Sequence, residues 1–274
     1  ASGRYDVWLV IGTYPGGYVG SCLEGMVPIV LRGSGEDVQK SAHLNYGFRL
    51  DSTIERKIIN TVGSYDKLVA LTDSVKIDFL DMGASPTAVE IIPNGVDLDW
   101  FKGELTKSDV RDRLGWPLDK RIILTTGRNH PKKGYSLIPP IAQELKKEKI
   151  PFHWYVVGLG ANRIKDQIEG LGLSSEISTC PEVGLDHSAT EDWNFPQRRL
   201  VDMYNAADIY AFPSMLETFG MVQLEAMAAG TAVVSTDAPG CRDVIVPNYN
   251  GLQAQAGSVK SFANQLRRLL LDDA

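Results

Sequence analysis

Cysteine is scarce in this chain of 274 residues: Cys22, Cys180 and Cys241 stand far apart and are odd in number. That spacing excludes a disulfide framework and a paired-cysteine metal motif. The four histidines (His43, His130, His153, His187) are scattered and show no ligand spacing either. No apolar run approaches the roughly 20 residues of a membrane-spanning helix. A basic footprint is missing too: 28 Lys and Arg against 34 Asp and Glu leave a net charge of -6, which argues against a nucleic-acid binder. No GxxxxGK[ST] occurs, so a P-loop is excluded. The first residues, ASGRYDVWLV, carry neither the charged start nor the long apolar stretch of a signal peptide. A cytoplasmic location is the plain expectation, and peripheral membrane contact is compatible with it.

What is present is an alternation. Short apolar, β-branched runs recur: DVWLVIG (6–12), VPIVLR (27–32), KLVALT (67–72), VEIIPN (89–94), RIILTTG (121–127), FHWYVVG (152–158), EISTC (176–180), IYAFPS (209–214) and AVVST (232–236). Helical patterns lie between them, at 51–63, 73–83, 136–149, 162–173, 197–208 and 222–230. Strands of near-continuous hydrophobicity separated by helices predict parallel sheets covered on both faces. The fold class is therefore α/β, doubly wound and Rossmann-like, with ligand sites at the carboxyl ends of strands. A polar segment from Asn94 to Arg121, with turn signals at Asn94-Gly95 and Trp116-Pro117, separates the two sets of strands. Two domains are expected, 1–104 and 105–274, with a ligand cleft between them.

Candidate chemistry sits where strands end. Glycines recur there, at Gly127, Gly158, Gly160, Gly220 and Gly240, and glycine lets backbone amides approach a ligand closely. GRNHPKKG (127–134) adds Arg128 and Lys133, a guanidinium and an ammonium suited to a diphosphate. Solvated surface charge is the alternative for both. GLGANR, opening at Gly158, is only a partial dinucleotide fingerprint. In FPSMLETFGMVQLEAMAAGTAVVS (212–235), Glu217 falls in a loop beyond a strand and Glu225 about one turn into the following helix. A carboxylate repels phosphate but accepts well from paired sugar hydroxyls. A ligand with both parts would set phosphates on the helix end and sugars on the carboxylates. A helix-dipole role for Glu217 and a solvated position for Glu225 remain the alternatives.

The combination is more specific than its parts. PSMLETFGMVQLEAMAAGTAVVSTDAPGCRDVI resembles the donor-binding motif of the retaining glycosyltransferases of family four, matched at Pro213, Ser214, Glu217, Phe219, Gly220, Glu225, Ala226, Met227, Ala228 and Gly230. IIPNGVDLDWF, GRNHPKKGYSLI and YNAADIYAFPS resemble further segments of that family, in the same order. The resemblance implies the two-domain GT-B fold and transfer of a sugar from a nucleotide-sugar donor to an acceptor hydroxyl, with retained anomeric configuration. It implies that Arg128 and Lys133 hold the donor diphosphate, Glu217 the transferred sugar and Glu225 the ribose hydroxyls. Backbone amides from Phe219 through Gly220 and Met221 to Val222 would meet the phosphates. Gly158 and residues 181–184 would lie near the base. It also implies no metal and no cofactor beyond a UDP- or GDP-linked co-substrate, and a sugar, lipid-linked or other hydroxyl acceptor. The literal D-x-D at Asp97 lies inside the interdomain signature and is not read as a metal site.

Two departures qualify the resemblance. YDVWLVIGTYPGGYVG (5–20) is similar to a strand partway through the family's first domain, and LRRLLLDDA stops ahead of its final helices. An incomplete N-terminal domain is therefore expected. In VLRGSGEDVQ (30–39), Ser34 stands where relatives often carry a histidine near the reacting sugar, and a serine cannot act as an imidazolium. The competing reading is a non-catalytic nucleotide-sugar binder. A phosphorylase or a sugar-nucleotide epimerase is the alternative on the same fold; the phosphorylase would need a lysine for pyridoxal phosphate or an inorganic phosphate site, and neither is visible. Tyr14 and Tyr18 are candidates for the acceptor side.

Overall fold

The computed structural model describes residues 5–103, 105–180 and 196–271. The chain forms two compact α/β units: residues 1–94 together with Glu217–Phe219, and residues 95–216 with 220–274. The division falls at Asn94/Gly95, ahead of the expected 104/105. The segment between these boundaries belongs with the second unit because Phe101 is buried in its core and the Trp100 indole donates to the Pro196 carbonyl at 2.7 Å.

The first unit holds a four-stranded parallel sheet in the order β1-β2-β3-β4: β1 (Trp8–Ile11), β2 (Ile29–Arg32), β3 (Lys67–Ala70) and β4 (Val89–Ile91). Its helices are the single turn α1 (Tyr18–Gly20), then α2 (Ser52–Val62) and α3 (Asp73–Asp81). Asp51 caps α2 by accepting from the Thr53 and Ile54 amides, and the Thr72 hydroxyl accepts from Val75 at the start of α3. Ile29 and Leu31 of β2 pack against Ile58 of α2 and Phe79 of α3 in one apolar core.

The second unit holds a six-stranded parallel sheet in the order β10-β9-β8-β5-β6-β7. Its strands are β5 (Arg121–Thr126), β6 (Phe152–Val157), β7 (Ile177–Cys180), β8 (Ile209–Ala211), β9 (Ala232–Thr236) and β10 (Leu252–Ala254). Renumbered within the unit this is 3-2-1-4-5-6, the Rossmann order, whose reversal lies between β5 and β8. Side chains alternate across the sheet. Ile123 faces a core built with α6 (after α4, Leu98–Phe101, and α5, Lys107–Leu114; α6 is Ile138–Lys147). Ile122 and Leu124 face the opposite core, built with α8 and α9 (after α7, Lys165–Gly170; α8 is Arg198–Ala206 and α9 Met221–Ala228). The last helix, α10 (Val259–Leu270), buries Phe262 and Leu266 on the same side as α6.

The expected α/β class and parallel sheets are observed. The strand β10 and the helix α10 were not among the expected elements. The three residues of β10 give too short a pattern to read, whereas the spacing of Phe262, Ala263, Leu266 and Leu270 is a helical stripe that was legible. Among the described residues no helix is long and apolar enough to cross a membrane.

Candidate functional site

The reversal between β5 and β8 brings together the two loops that carry most of the second unit's candidate residues. Beyond β5, Gly127 takes a φ of 129°, and a Cβ on Gly158 (φ 133°) would overlap the Gly127 carbonyl. Only glycine allows the ends of β5 and β6 to close this tightly. The chain then passes through exposed Arg128, whose guanidinium makes no hydrogen bond or ion pair among the described residues, into the 3-10 turn Pro131–Lys133. That turn is fastened to the end of β8. The Lys132 carbonyl accepts from the Ser214 hydroxyl at 2.9 Å and the Met215 amide at 2.6 Å. Lys133 is thereby held half-buried, with its Nζ 5.2 Å from the centre of the Phe212 ring.

Gly220, in the left-handed region (φ 73°, ψ 57°), turns the chain into α9, which has no side-chain cap. Met221 and Val222 in its first turn are half-buried, and amides at such positions lack partners within the helix. Glu225 follows, also half-buried. The Tyr204 hydroxyl donates to its Oε2 at 2.8 Å. Burial raises the Glu225 carboxyl above its ordinary range, while the Tyr204 hydrogen bond and the charge of Lys133 pull it back down. Tyr204 escaped the sequence reading; it occurs in YNAAD, where nothing local marks it as a partner of a residue 21 positions away.

Glu217 and Phe219 belong to the other unit. Both are buried, Glu217 at 6% exposure. The Glu217 carbonyl accepts from the buried Gln39 side chain at 2.6 Å, and the Thr218 carbonyl from the Thr72 hydroxyl at 3.1 Å. In the same unit Ser34 is exposed, and its amide donates to Asp37 at 3.0 Å. Buried Asp37 also accepts from the Thr13 amide, so one carboxylate ties together the loops after β1 and β2; burial raises its proton affinity. Beside it lies a cavity of about 400 Å³ lined by Tyr14, Ser34, Glu36, Tyr46 and Phe48 among others. Tyr18 lies against Tyr14, and Lys57 stands over both rings. Asp97 caps α4 by accepting from the Asp99 amide at 3.0 Å, which accounts for the literal D-x-D. Residues 181–184, placed by the resemblance near the base, lie outside the described residues.

Comparison with known proteins gives the family. Glycosyl transferases group 1 matches residues 106–274, more than half of the chain. D-inositol 3-phosphate glycosyltransferase of Xylanimonas cellulosilytica is 33% identical over 77% of this chain and 50% of its own length. The protein of the same name from Corynebacterium jeikeium is 31% identical over 77% of this chain and 51% of its own length. The chain spans about half the length of these curated relatives. Among solved structures, sucrose-phosphate synthase from Thermosynechococcus elongatus superposes with a TM-score of 0.80 at 21% identity, over 98% of this chain and 65% of its own. Anabaena Alr3699/HepE in complex with UDP gives 0.78 at 20%, over 97% and 69%. These likenesses show the fold, that of the GT-B glycosyltransferases. The chain belongs to the group 1 glycosyl transferases.

Proposed function

We propose that this group 1 glycosyl transferase binds a UDP- or GDP-linked sugar and passes the sugar to an acceptor hydroxyl with its anomeric configuration retained. The observation that carries the reading is local to the second unit. A half-buried carboxylate, Glu225, held by the Tyr204 hydroxyl at 2.8 Å, stands in a helix with no side-chain cap at its start, while half-buried Lys133 sits over the Phe212 ring in the neighbouring loop at the strand-order reversal. UDP occupies the structurally similar Anabaena protein, and this supports a nucleotide donor here.

In this reading Glu225 accepts from the ribose hydroxyls. Amides at Gly220, Met221 and Val222 meet the diphosphate, with Phe219 and Gly158 bordering the nucleotide. Arg128 and Lys133 stabilise the negative charge that grows on the leaving diphosphate. Glu217 contacts the transferred sugar. The bond from the anomeric carbon to the terminal phosphate oxygen breaks, and the acceptor oxygen attacks from the same face. The acceptor proton goes to the departing phosphate oxygen, so the leaving group serves as the base and no protein nucleophile is assigned. Arg128 and Lys133 supply the positive charge, without a metal ion. The acceptor is a sugar, a lipid-linked glycan or another hydroxyl compound, and the location is cytoplasmic, with peripheral membrane contact where the acceptor is lipid-linked.

A second reading, a non-catalytic nucleotide-sugar binder, is favoured by Ser34 in the place of the family's histidine. Incubation with UDP-glucose and with GDP-mannose separates the two. Release of nucleoside diphosphate, with the first-formed sugar or glycoside retaining the donor's anomeric configuration by NMR, supports the transferase. Saturable binding without turnover supports the binder, and an inverted product overturns the retaining assignment.

A further inference from the structure

Glu225 is the end of a buried hydroxyl chain. The Tyr204 hydroxyl lies 2.8 Å from Glu225 Oε2 and 2.8 Å from Thr126 Oγ1, and Thr126 Oγ1 lies 3.0 Å from the Tyr210 hydroxyl. Tyr204 and Tyr210 are wholly buried, and Thr126 nearly so. Proton counting fixes the direction of this chain. A carboxylate only accepts, and a phenol has one proton to give. Tyr204 therefore donates to Glu225 and Thr126 donates to Tyr204, while the one proton of Tyr210 serves either Thr126 Oγ1 or the Thr126 carbonyl at 3.3 Å. Burial holds both phenols protonated at any working pH, so each remains a donor. Aligned buried hydroxyls polarise one another and strengthen the terminal bond.

Thr126 is the last residue of β5, directly before Gly127 and Arg128. The next phenol along, Tyr135, donates to the Gly127 carbonyl at 2.5 Å. The orientation of the Glu225 carboxylate is thus tied to the strand end from which the Arg128 loop departs. One carboxylate oxygen is engaged by Tyr204. The other, Oε1, makes no hydrogen bond among the described residues.

We propose that Tyr204 is a positioning residue that fixes the Glu225 carboxylate in one orientation, so that Oε1 receives ribose hydroxyls and the site selects ribonucleotides over deoxyribonucleotides. This rests on the donor-site reading above. Without the phenol the carboxylate rotates freely about its last torsion, and its oxygens no longer face a fixed pair of hydroxyls. The protein still binds the diphosphate but loses discrimination at the sugar.

The test is calorimetric titration with UDP and 2′,3′-dideoxy-UDP, or the GDP or ADP pair if one of those binds more tightly. Wild-type protein, Tyr204→Phe, Glu225→Gln and the double variant are compared, with melting temperature as a folding control. The expected result is about tenfold preference for the ribonucleotide in the wild type and little in Tyr204→Phe. Adding Tyr204→Phe to Glu225→Gln changes the preference no further. The ratio of two ligands on one folded variant is insensitive to a general loss of stability. A preference in Tyr204→Phe equal to wild type overturns the positioning role and leaves the donor reading standing. Nucleotide binding by the wild type without any preference overturns the ribose contact itself. Failure of the wild type to bind any of the three nucleotides overturns the donor reading and this inference together.

Discussion

Gly134 and Pro213 are packed so closely that a Cβ on Gly134 would overlap the Pro213 carbonyl oxygen. Gly134 also sits in the left-handed region, with φ 66°. The turn that carries Lys133 is held against the end of β8 by this contact and by the two bonds to the Lys132 carbonyl. Gly134→Ala must therefore move backbone, at a cost of about 2 kcal/mol. Thermal denaturation should show a loss of about 5 °C, and nucleotide affinity should fall with it. An unchanged melting temperature would show that the contact is not constraining the turn.

The proposed function gives Lys133 the diphosphate rather than the ribose or base. Lys133→Ala should weaken nucleoside diphosphate binding about tenfold or more and leave affinity for the bare nucleoside nearly unchanged. Equal losses for both ligands, measured by calorimetry, would place its effect elsewhere.

Asp78, on α3, is expected to contribute a pH dependence to the stability of the first unit. Burial pushes its carboxyl up to about 6, against the opposing charge of Arg49 and with some help from Asp81. Because the folded value lies above the unfolded one, its stabilising contribution is full below the unfolded value of 3.8 and is lost as pH rises through about 6. Asp78→Asn should thus raise the melting temperature at pH 7.5, and that advantage should hold down to about pH 6 and then shrink toward pH 4. A constant difference across that range would contradict the assignment.

Gln223, in α9, is fully buried, and among the described residues neither its amide nitrogen nor its oxygen has a partner. Gln223→Met keeps the length of the side chain and removes two unsatisfied polar atoms. Stability should rise by about 1 kcal/mol, visible as a melting temperature about 2–4 °C higher. A lower melting temperature would mean that the amide is satisfied in solution, for instance by buried water.

The proposed chemistry draws its positive charge from side chains. Sugar transfer measured with and without EDTA should proceed at the same rate, whereas abolition by chelation and recovery with added magnesium would remove Arg128 and Lys133 from that role.

Much of this was legible in the sequence because it is written locally. Alternating β-branched runs and helical stripes marked nine of the ten strands seen among the described residues. Glycines after strands marked the tight loops at Gly127, Gly158 and Gly220. Relations between distant residues were not legible. The bond from Gln39 to the Glu217 carbonyl spans 178 positions, and nothing in LETFG announces that Glu217–Phe219 joins the first unit. The Tyr204 bond to Glu225 is equally silent, since a core tyrosine whose hydroxyl holds a carboxylate and one that only packs look alike in a sequence. Polarity and turn residues put the unit boundary at 104/105, whereas buried Phe101 and half-buried Trp100 pack into the core of the second unit.

Calorimetric titration with UDP, GDP and ADP decides whether the second unit binds a nucleoside diphosphate through Lys133 and Glu225, as proposed. Saturable binding of one nucleotide by the wild type is expected, weakened in both Lys133→Ala and Glu225→Ala with both variants folded. Absence of binding to all three, or binding indifferent to both substitutions, would contradict it.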